Sequence, residues 1–359
     1  GVGFISNTLQ GSYWSSRSLQ PDYSRIKVPV MLWSGWADCY PTSILRAFSK
    51  LDVPKKVFVG PWGHYWPEEA LPGPRIDFRY EMLKWFDRWL KDVDTGVMEE
   101  PPVTVFVRKY KEPAAHMYLE DAGFWRHENE WPPMRNQATP MYLHPDGELS
   151  HEDPASENAP DKYAYNPAVG TNAGIYWGGG IMPWAMPVDQ RPDEAYSLTY
   201  TTSPLEQDLE VTGNPTVVLH VASTADTAYF HVKLTDVAPD GTSKWLTDGG
   251  LLATHRNSHS KPEPMEIGKI YEIEIDLKYV AYLFERGHRI RLSVASADFQ
   301  NAWPAAKPAV NSLYRDKRYP SHLVLPITPS QSPQLRAPDL KPSPRPNATA
   351  ADIATNTRH

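Results

Sequence analysis

A chain of 359 residues with 41% apolar and 22% charged side chains is long enough for two compact units and too apolar for a disordered polyelectrolyte. Its formal charge of −7 excludes a broadly basic surface, the usual footprint of nucleic-acid binding. The single cysteine, Cys39, excludes an intrachain disulfide, and no apolar run approaches a membrane span in length.

The 36 prolines disfavour long helices and fit short strands joined by turns. The 13 tryptophans suit either aromatic-lined pockets or large core residues. Residues 1–25 are polar and aromatic without a clear period and read as the end of a cap or connector. Ile26-Lys-Val-Pro-Val-Met-Leu-Trp33 is a nearly continuous apolar run ended by Ser34-Gly35, the pattern of a strand buried on both faces. Pro41 opens a helix to about Leu51, and Lys56-Val-Phe-Val59 gives a second strand stopped by Gly60-Pro61. Strand, helix, strand at this spacing predicts a βαβ unit with parallel strands. A loop with Pro67, Pro72 and Pro74 leads to a helix around residues 76–93. Its Phe78, Met82, Trp85, Phe86, Trp89 and Val93 form one apolar stripe, and Gly96 is the stop signal.

From about residue 97 the pattern turns to strands, at 103–107, 196–201, 217–221, 229–234, 271–277 and 289–294. Pro239-Asp240-Gly241 is a tight turn, because proline sets φ and glycine accepts a positive φ. Many short strands with such turns predict a jelly-roll β-sandwich over residues 97–327. Residues 145–195 read as long loops, Gly178-Gly179-Gly180 among them, without the lysine or helix start of a phosphate cradle. Residues 328–359 read as a proline-rich disordered or extended strap. The predicted class is therefore α/β plus all-β, with residues 26–96 as the C-terminal part of an open parallel sheet.

Ligands and catalytic groups gather at the carboxyl ends of parallel strands. Asp38 follows the first strand and His64 the second. Neighbouring strands lie about 5 Å apart, so the carboxylate can accept the imidazole N–H and leave the other ring nitrogen as a base. Acid before base is the chain order of α/β-hydrolases, in which the nucleophile comes first. The alternatives for the two residues taken singly are a turn aspartate and a loop or core histidine.

Ile26-Lys-Val-Pro-Val30, Gly35-Trp-Ala-Asp38, Val59-Gly-Pro-Trp-Gly-His64, Asp77-Phe78 and Trp85-Phe-Asp-Arg-Trp-Leu-Lys91 together resemble the CocE/NonD hydrolases of the X-prolyl dipeptidyl-peptidase S15 group. Leu198-Thr-Tyr-Thr-Thr-Ser-Pro-Leu205, Asp208–Gly213, Val237–Gly241 and Phe284–Ile290 extend the resemblance into that family's C-terminal jelly roll, over roughly residues 10–325 in all. The resemblance implies that Asp38 is the acid and His64 the base of a catalytic triad. It places Tyr40 where the family has an aromatic lining the acyl pocket. Trp36, Trp62 and Trp66 are further candidates for that pocket, with core packing the alternative for at least one of them.

The family's nucleophile lies in a Gly-x-Ser-Tyr-x-Gly elbow far upstream of the acid, whereas Asp38 has 37 residues before it. Ser243 has Gly241 two before it, but Trp245 takes the second glycine position, and Ser12 directly after Gly11 lacks the pattern. The expectation is that the serine and the full oxyanion hole come from an N-terminal half or companion chain. That polypeptide would also complete the sheet, because parallel strands with an open edge are unstable alone. Cys39 is set aside as a nucleophile on the ground that neighbouring strand residues point to opposite faces. His255 and His259 have the spacing of zinc ligands but no helix to carry them. Asn347-Ala-Thr349 is a glycosylation sequon by pattern alone.

The resemblance implies acyl transfer from a small ester or amide to water, with no metal or organic cofactor. X-prolyl peptidase and acyltransferase chemistry are alternatives within the family, and a non-catalytic β-sandwich binding module is the alternative outside it. Homo-oligomerisation is left open, and no compartment is assigned.

Overall fold

The structure, a computed structural model, describes residues 2–176, 186–329 and 338–345. The Gly178–Gly180 loop, the Asn347 sequon and most of the proline-rich tail lie outside the described residues.

β1 (Val30–Gly35), α1 (Pro41–Lys50) and β2 (Lys55–Gly60) form the expected unit. The two strands are parallel, in register from Val30 opposite Lys55 to Gly35 opposite Gly60. β1 begins only after Pro29, which has no N–H for a ladder. Pro41 sits in the first turn of α1, where its missing N–H costs no helical bond. Leu45 and Phe48 of α1 are buried with Val57 and Val59 of β2 in one core cluster.

α2 (Phe78–Lys91) is capped by Asp77, whose side chain accepts from the Tyr80 amide at 3.1 Å. It ends through Asp92 in the left-handed region (φ 54°), four residues before the expected Gly96 stop. The apolar stripe is narrower than its sequence period suggests. Phe78 and Trp85 are buried, while Leu83, Phe86, Leu90 and Val93 are exposed.

β3 (Val103–Arg108) lies parallel to β2 and antiparallel to β4 (Gly123–Glu128). The sheet thus runs across residue 97 without a break. Arg108 then pairs with Tyr282, which carries the sheet into the β-sandwich. Facing it is an antiparallel sheet with strands in the order Ser243–Leu252, Tyr229–Val237, Arg289–Ala295, Leu198–Thr201. The core between the two sheets includes Leu219, Ile273 and Tyr282 on one side and Phe230, Val232 and Leu292 on the other. Gly241, at φ 89°, donates to the Ala238 carbonyl (2.8 Å) and closes the hairpin that Pro239-Asp240-Gly241 predicts.

The first residues contribute helical turns at Val2–Ser6 and Ser12–Ser15 with no buried side chain. Residues 338–345 form a strap over the start of α2. The Asp77 amide donates to the Lys341 carbonyl (2.9 Å), Ser343 Oγ donates to the Glu68 carbonyl (2.8 Å), and Arg345 pairs with Glu68 and Glu69.

Candidate active site

The carboxyl tips of β1 and β2 are joined by backbone. Trp36 N–H donates to the Gly60 carbonyl (2.9 Å), Ala37 N–H to the Trp62 carbonyl (3.0 Å), and Asp38 N–H to the Gly35 carbonyl (3.1 Å). Glycine is required at both tips. A Cβ on Gly35 would lie 2.0 Å from the Trp62 carbonyl oxygen, and one on Gly60 would lie 2.4 Å from the Trp62 ring. The two loops therefore pack backbone to backbone, and this sets the side chains they carry.

Asp38 and His64 meet there. His64 Nδ1–H donates to Asp38 Oδ2 at 3.0 Å. The Tyr40 amide donates to Asp38 Oδ1 at 3.2 Å, so both carboxylate oxygens have a donor. The Asp38 side chain is 11% exposed and the His64 ring 49% exposed. A sheltered carboxylate holding Nδ1 fixes the tautomer in which Nε2 carries the free lone pair. That is the acid–base half of a nucleophile-activating relay.

The four aromatic candidates separate. Tyr40 packs edge-on against His64, with ring centroids 5.5 Å apart, and is exposed. Trp36 is buried, and its indole N–H donates to the Phe106 carbonyl (2.7 Å). Trp62 is a core residue with no exposed face to offer a pocket, packed with Ala70, Ile76 and Phe78 and donating its N–H to the Pro74 carbonyl (2.9 Å). Its loop turns inward so that its ring can cover Gly60. Trp66 is exposed and stacks on Phe78 (5.3 Å, 11°), away from the strand tips at the start of α2.

Cys39 corrects the sequence argument. β1 ends at Gly35, so strand alternation does not govern Asp38 and Cys39, which lie in a turn. Ligand atoms of Asp38, Cys39 and His64 all lie within 4.8 Å of one another. The thiol is nonetheless a poor nucleophile. Although Cys39 is an exposed residue, partial desolvation reinforced by the adjacent Asp38 carboxylate pushes the thiol up to about 11, so it stays protonated at neutral pH. The same closeness would suit a metal ion, but the 3.0 Å bond between His64 and Asp38 already occupies two of the atoms an ion would need.

The remaining sequence candidates lie elsewhere. The Ser243 hydroxyl is fully buried in the sandwich and donates to Glu194 Oε1 at 2.6 Å. Ser12 starts an exposed helical turn. His255 and His259 have rings 5.5 Å apart, and His255 ends the 3-10 turn Ala253–His255.

A cavity of about 350 Å³ opens beside Asp38, between the tip of β1 and the sandwich. Trp36, Arg108, Tyr176, Trp245 and Tyr279 form much of its wall, with Asp38 and Cys39 at one end. Arg108 escapes a reading based on apolar runs. The signal for it is a lone cation closing the strand Val103-Thr-Val-Phe-Val107, where a buried strand would otherwise end in an apolar or turn residue.

Two family models match the chain. The X-Pro dipeptidyl-peptidase C-terminal non-catalytic domain covers residues 95–330, and the X-Pro dipeptidyl-peptidase (S15 family) covers residues 5–66. The cocaine esterase of Rhodococcus sp. is 30% identical over 358 residues, covering 88% of this chain and 59% of that protein. An aminopeptidase from the marine sediment archaeon Thaumarchaeota archaeon superposes with a TM-score of 0.69 at 23% identity, over 89% of this chain and 59% of that one. An α-amino acid ester hydrolase gives 0.66 at 21% identity, over 90% and 59%. The chain thus spans somewhat more than half the length of each of these three proteins. On the match over residues 95–330, the chain belongs to the CocE/NonD hydrolases of the X-prolyl dipeptidyl-peptidase S15 group, a family of serine hydrolases.

Proposed function

We propose that this chain supplies the acid and base of a serine hydrolase acting on esters or amides, while the nucleophilic serine resides on polypeptide outside these 359 residues. The observation that carries the reading is the 3.0 Å contact between His64 Nδ1 and Asp38 Oδ2 at adjacent parallel strand tips. In the proposed cycle His64 Nε2 takes the proton from the serine hydroxyl as the oxygen attacks the carbonyl. The imidazolium, stabilised by Asp38, returns that proton to the leaving alkoxide or amine. Water then repeats the sequence on the acyl-enzyme, His64 again acting as base.

Two features support a serine from elsewhere. Of the hydroxyl candidates that sequence offered, Ser243 is locked in the sandwich core and Ser12 sits in an exposed helical turn. In addition, β1 has a strand neighbour on one side only among the described residues, and Leu83, Phe86 and Leu90 of α2 are exposed. Both are surfaces that a companion segment would cover.

The test is labelling with a fluorophosphonate, which reacts with activated serines. The 359-residue chain alone should remain unlabelled. When the chain is joined to, or mixed with, a serine-bearing N-terminal segment, the label should appear on that segment and vanish with His64→Ala. Label on this chain would refute the split site. No label on any component would favour a second reading, a sandwich that binds without catalysis, which the family description of residues 95–330 as non-catalytic supports.

A further inference from the structure

Arg108 is a buried cation without a close anion among the described residues. It is 8% exposed at the end of β3, yet forms no ion pair among the described residues. Its Nη2 reaches only the Leu246 carbonyl, at 3.5 Å, and its Nε has no acceptor at all. Its guanidinium lies 5.6 Å from the Trp36 ring centroid. Charged groups removed from water are costly unless paired, and a buried guanidinium with an idle N–H is an exception that calls for an acceptor.

Arg108 lines the 350 Å³ cavity, and so does a second residue with an idle N–H. Trp245, stacked on Tyr176 at 4.7 Å, also has a buried indole N–H with no partner among the described residues. The charges around the cavity define what could satisfy them. Lys278, the other cation in its wall, is already held by Asp248 at 2.7 Å. Behind the wall, Lys244 donates to the Lys111 carbonyl (2.9 Å), and Asp121, which lines the adjoining small cavity with Lys244 and Arg108, forms a close ion pair with neither among the described residues, its charge acting on both from a distance. Arg108 thus has no close anion at the cavity wall, and the Asp38 carboxylate, also in that wall, opposes any larger negative charge.

We propose that this cavity binds a small monocarboxylic acid with an apolar or aromatic body, its carboxylate on Arg108 and its body against Trp36, Tyr176, Trp245 and Tyr279. The planar guanidinium fork matches a carboxylate in a way a point charge does not. The volume suits a ligand of that size and excludes most of its surface from water. Burial also presses the Arg108 guanidinium downward, an additional sign that its charge is held there at a cost. The inference concerns binding alone and stands whether or not the hydrolase reading does.

The experiment is calorimetric titration of the 359-residue chain with benzoate and phenylacetate, against benzamide, chloride and inorganic phosphate as controls. The acids should bind, benzamide should not, and Arg108→Gln should weaken benzoate by about ten- to a hundredfold. Arg108→Lys, which keeps the charge and removes the fork, should lie between the two and covers the case in which Arg108→Gln fails to fold. Equal binding of benzoate and benzamide, equal binding of phosphate or chloride, or benzoate affinity unchanged in Arg108→Lys would each overturn the proposal.

Discussion

At the scale of single residues, the candidate site depends on two glycines and a hydrogen bond. Gly35→Ala would drive a methyl to 2.0 Å from the Trp62 carbonyl, and backbone cannot step aside as a flexible side chain can. The substitution should separate the strand tips, visible as loss of the His64–Asp38 coupling in the imidazole NMR signals and as a lower melting temperature. With the serine-bearing segment supplied, His64→Ala and Asp38→Asn should each lower kcat by about 10⁴-fold, since the first removes the base and the second its correct tautomer. Cys39 provides the contrast. Its thiol sits up near 11 through burial and the Asp38 charge, so alkylation by iodoacetamide should keep accelerating beyond pH 10 instead of levelling near the usual thiol value of about 8.5. A plateau by pH 9 would contradict the description of Cys39 as a thiol kept neutral by partial desolvation and the Asp38 charge.

At the scale of elements, the legible parts are those whose pattern follows burial. β1 and β2 carry short apolar runs that stop at glycine, α1 opens at Pro41 and buries Leu45 and Phe48 on one face, and Tyr271–Asp276 alternates because one face is wet. β4 was illegible because its buried positions are charged. Arg126 pairs with Glu128 (2.8 Å) and Glu210, and Glu128 also pairs with Arg135, so hydropathy hides what ion pairing satisfies. Asp38 and His64 could be read from their places at strand ends, whereas the closeness of Cys39 could not, because it depends on where β1 stops. Lys244, on the strand Ser243–Leu252, shows the energetic consequence of an unpaired buried charge. Burial holds it down to about 8, well below an exposed lysine. Between that value and about 10.4 the unfolded chain binds the extra proton, so stability attributable to this side chain rises with pH. Relative to Lys244→Met, the wild type should gain roughly 1–2 kcal/mol from pH 7.5 to 9.5 in urea unfolding. A constant difference across that range would mean that Lys244 is not desolvated.

At the scale of the whole molecule, one sheet joins a strand-tip site to a sandwich, and its two ends differ in kind. The sandwich closes its core between two sheets, with Phe230, Val232, Leu292 and Tyr282 fully buried. The other end stops at β1, whose residues Val30–Trp33 are only half buried although their sequence is that of a central strand. Nearby, α2 leaves Leu83, Phe86 and Leu90 exposed on a helix that already buries Phe78 and Trp85. A parallel strand with one open edge is held by a single ladder, so it should open at lower free energy than the strands behind it. Hydrogen exchange on the 359-residue chain should then show β1 amides exchanging faster than those of β2 and β3, with the sandwich strands the most protected. Addition of the serine-bearing segment should slow β1 selectively and leave the sandwich unchanged, because only the open edge gains a neighbour. Uniform protection of β1, β2 and β3 in the chain alone would show that the edge needs no cover, and the case for a companion segment would lose its structural support.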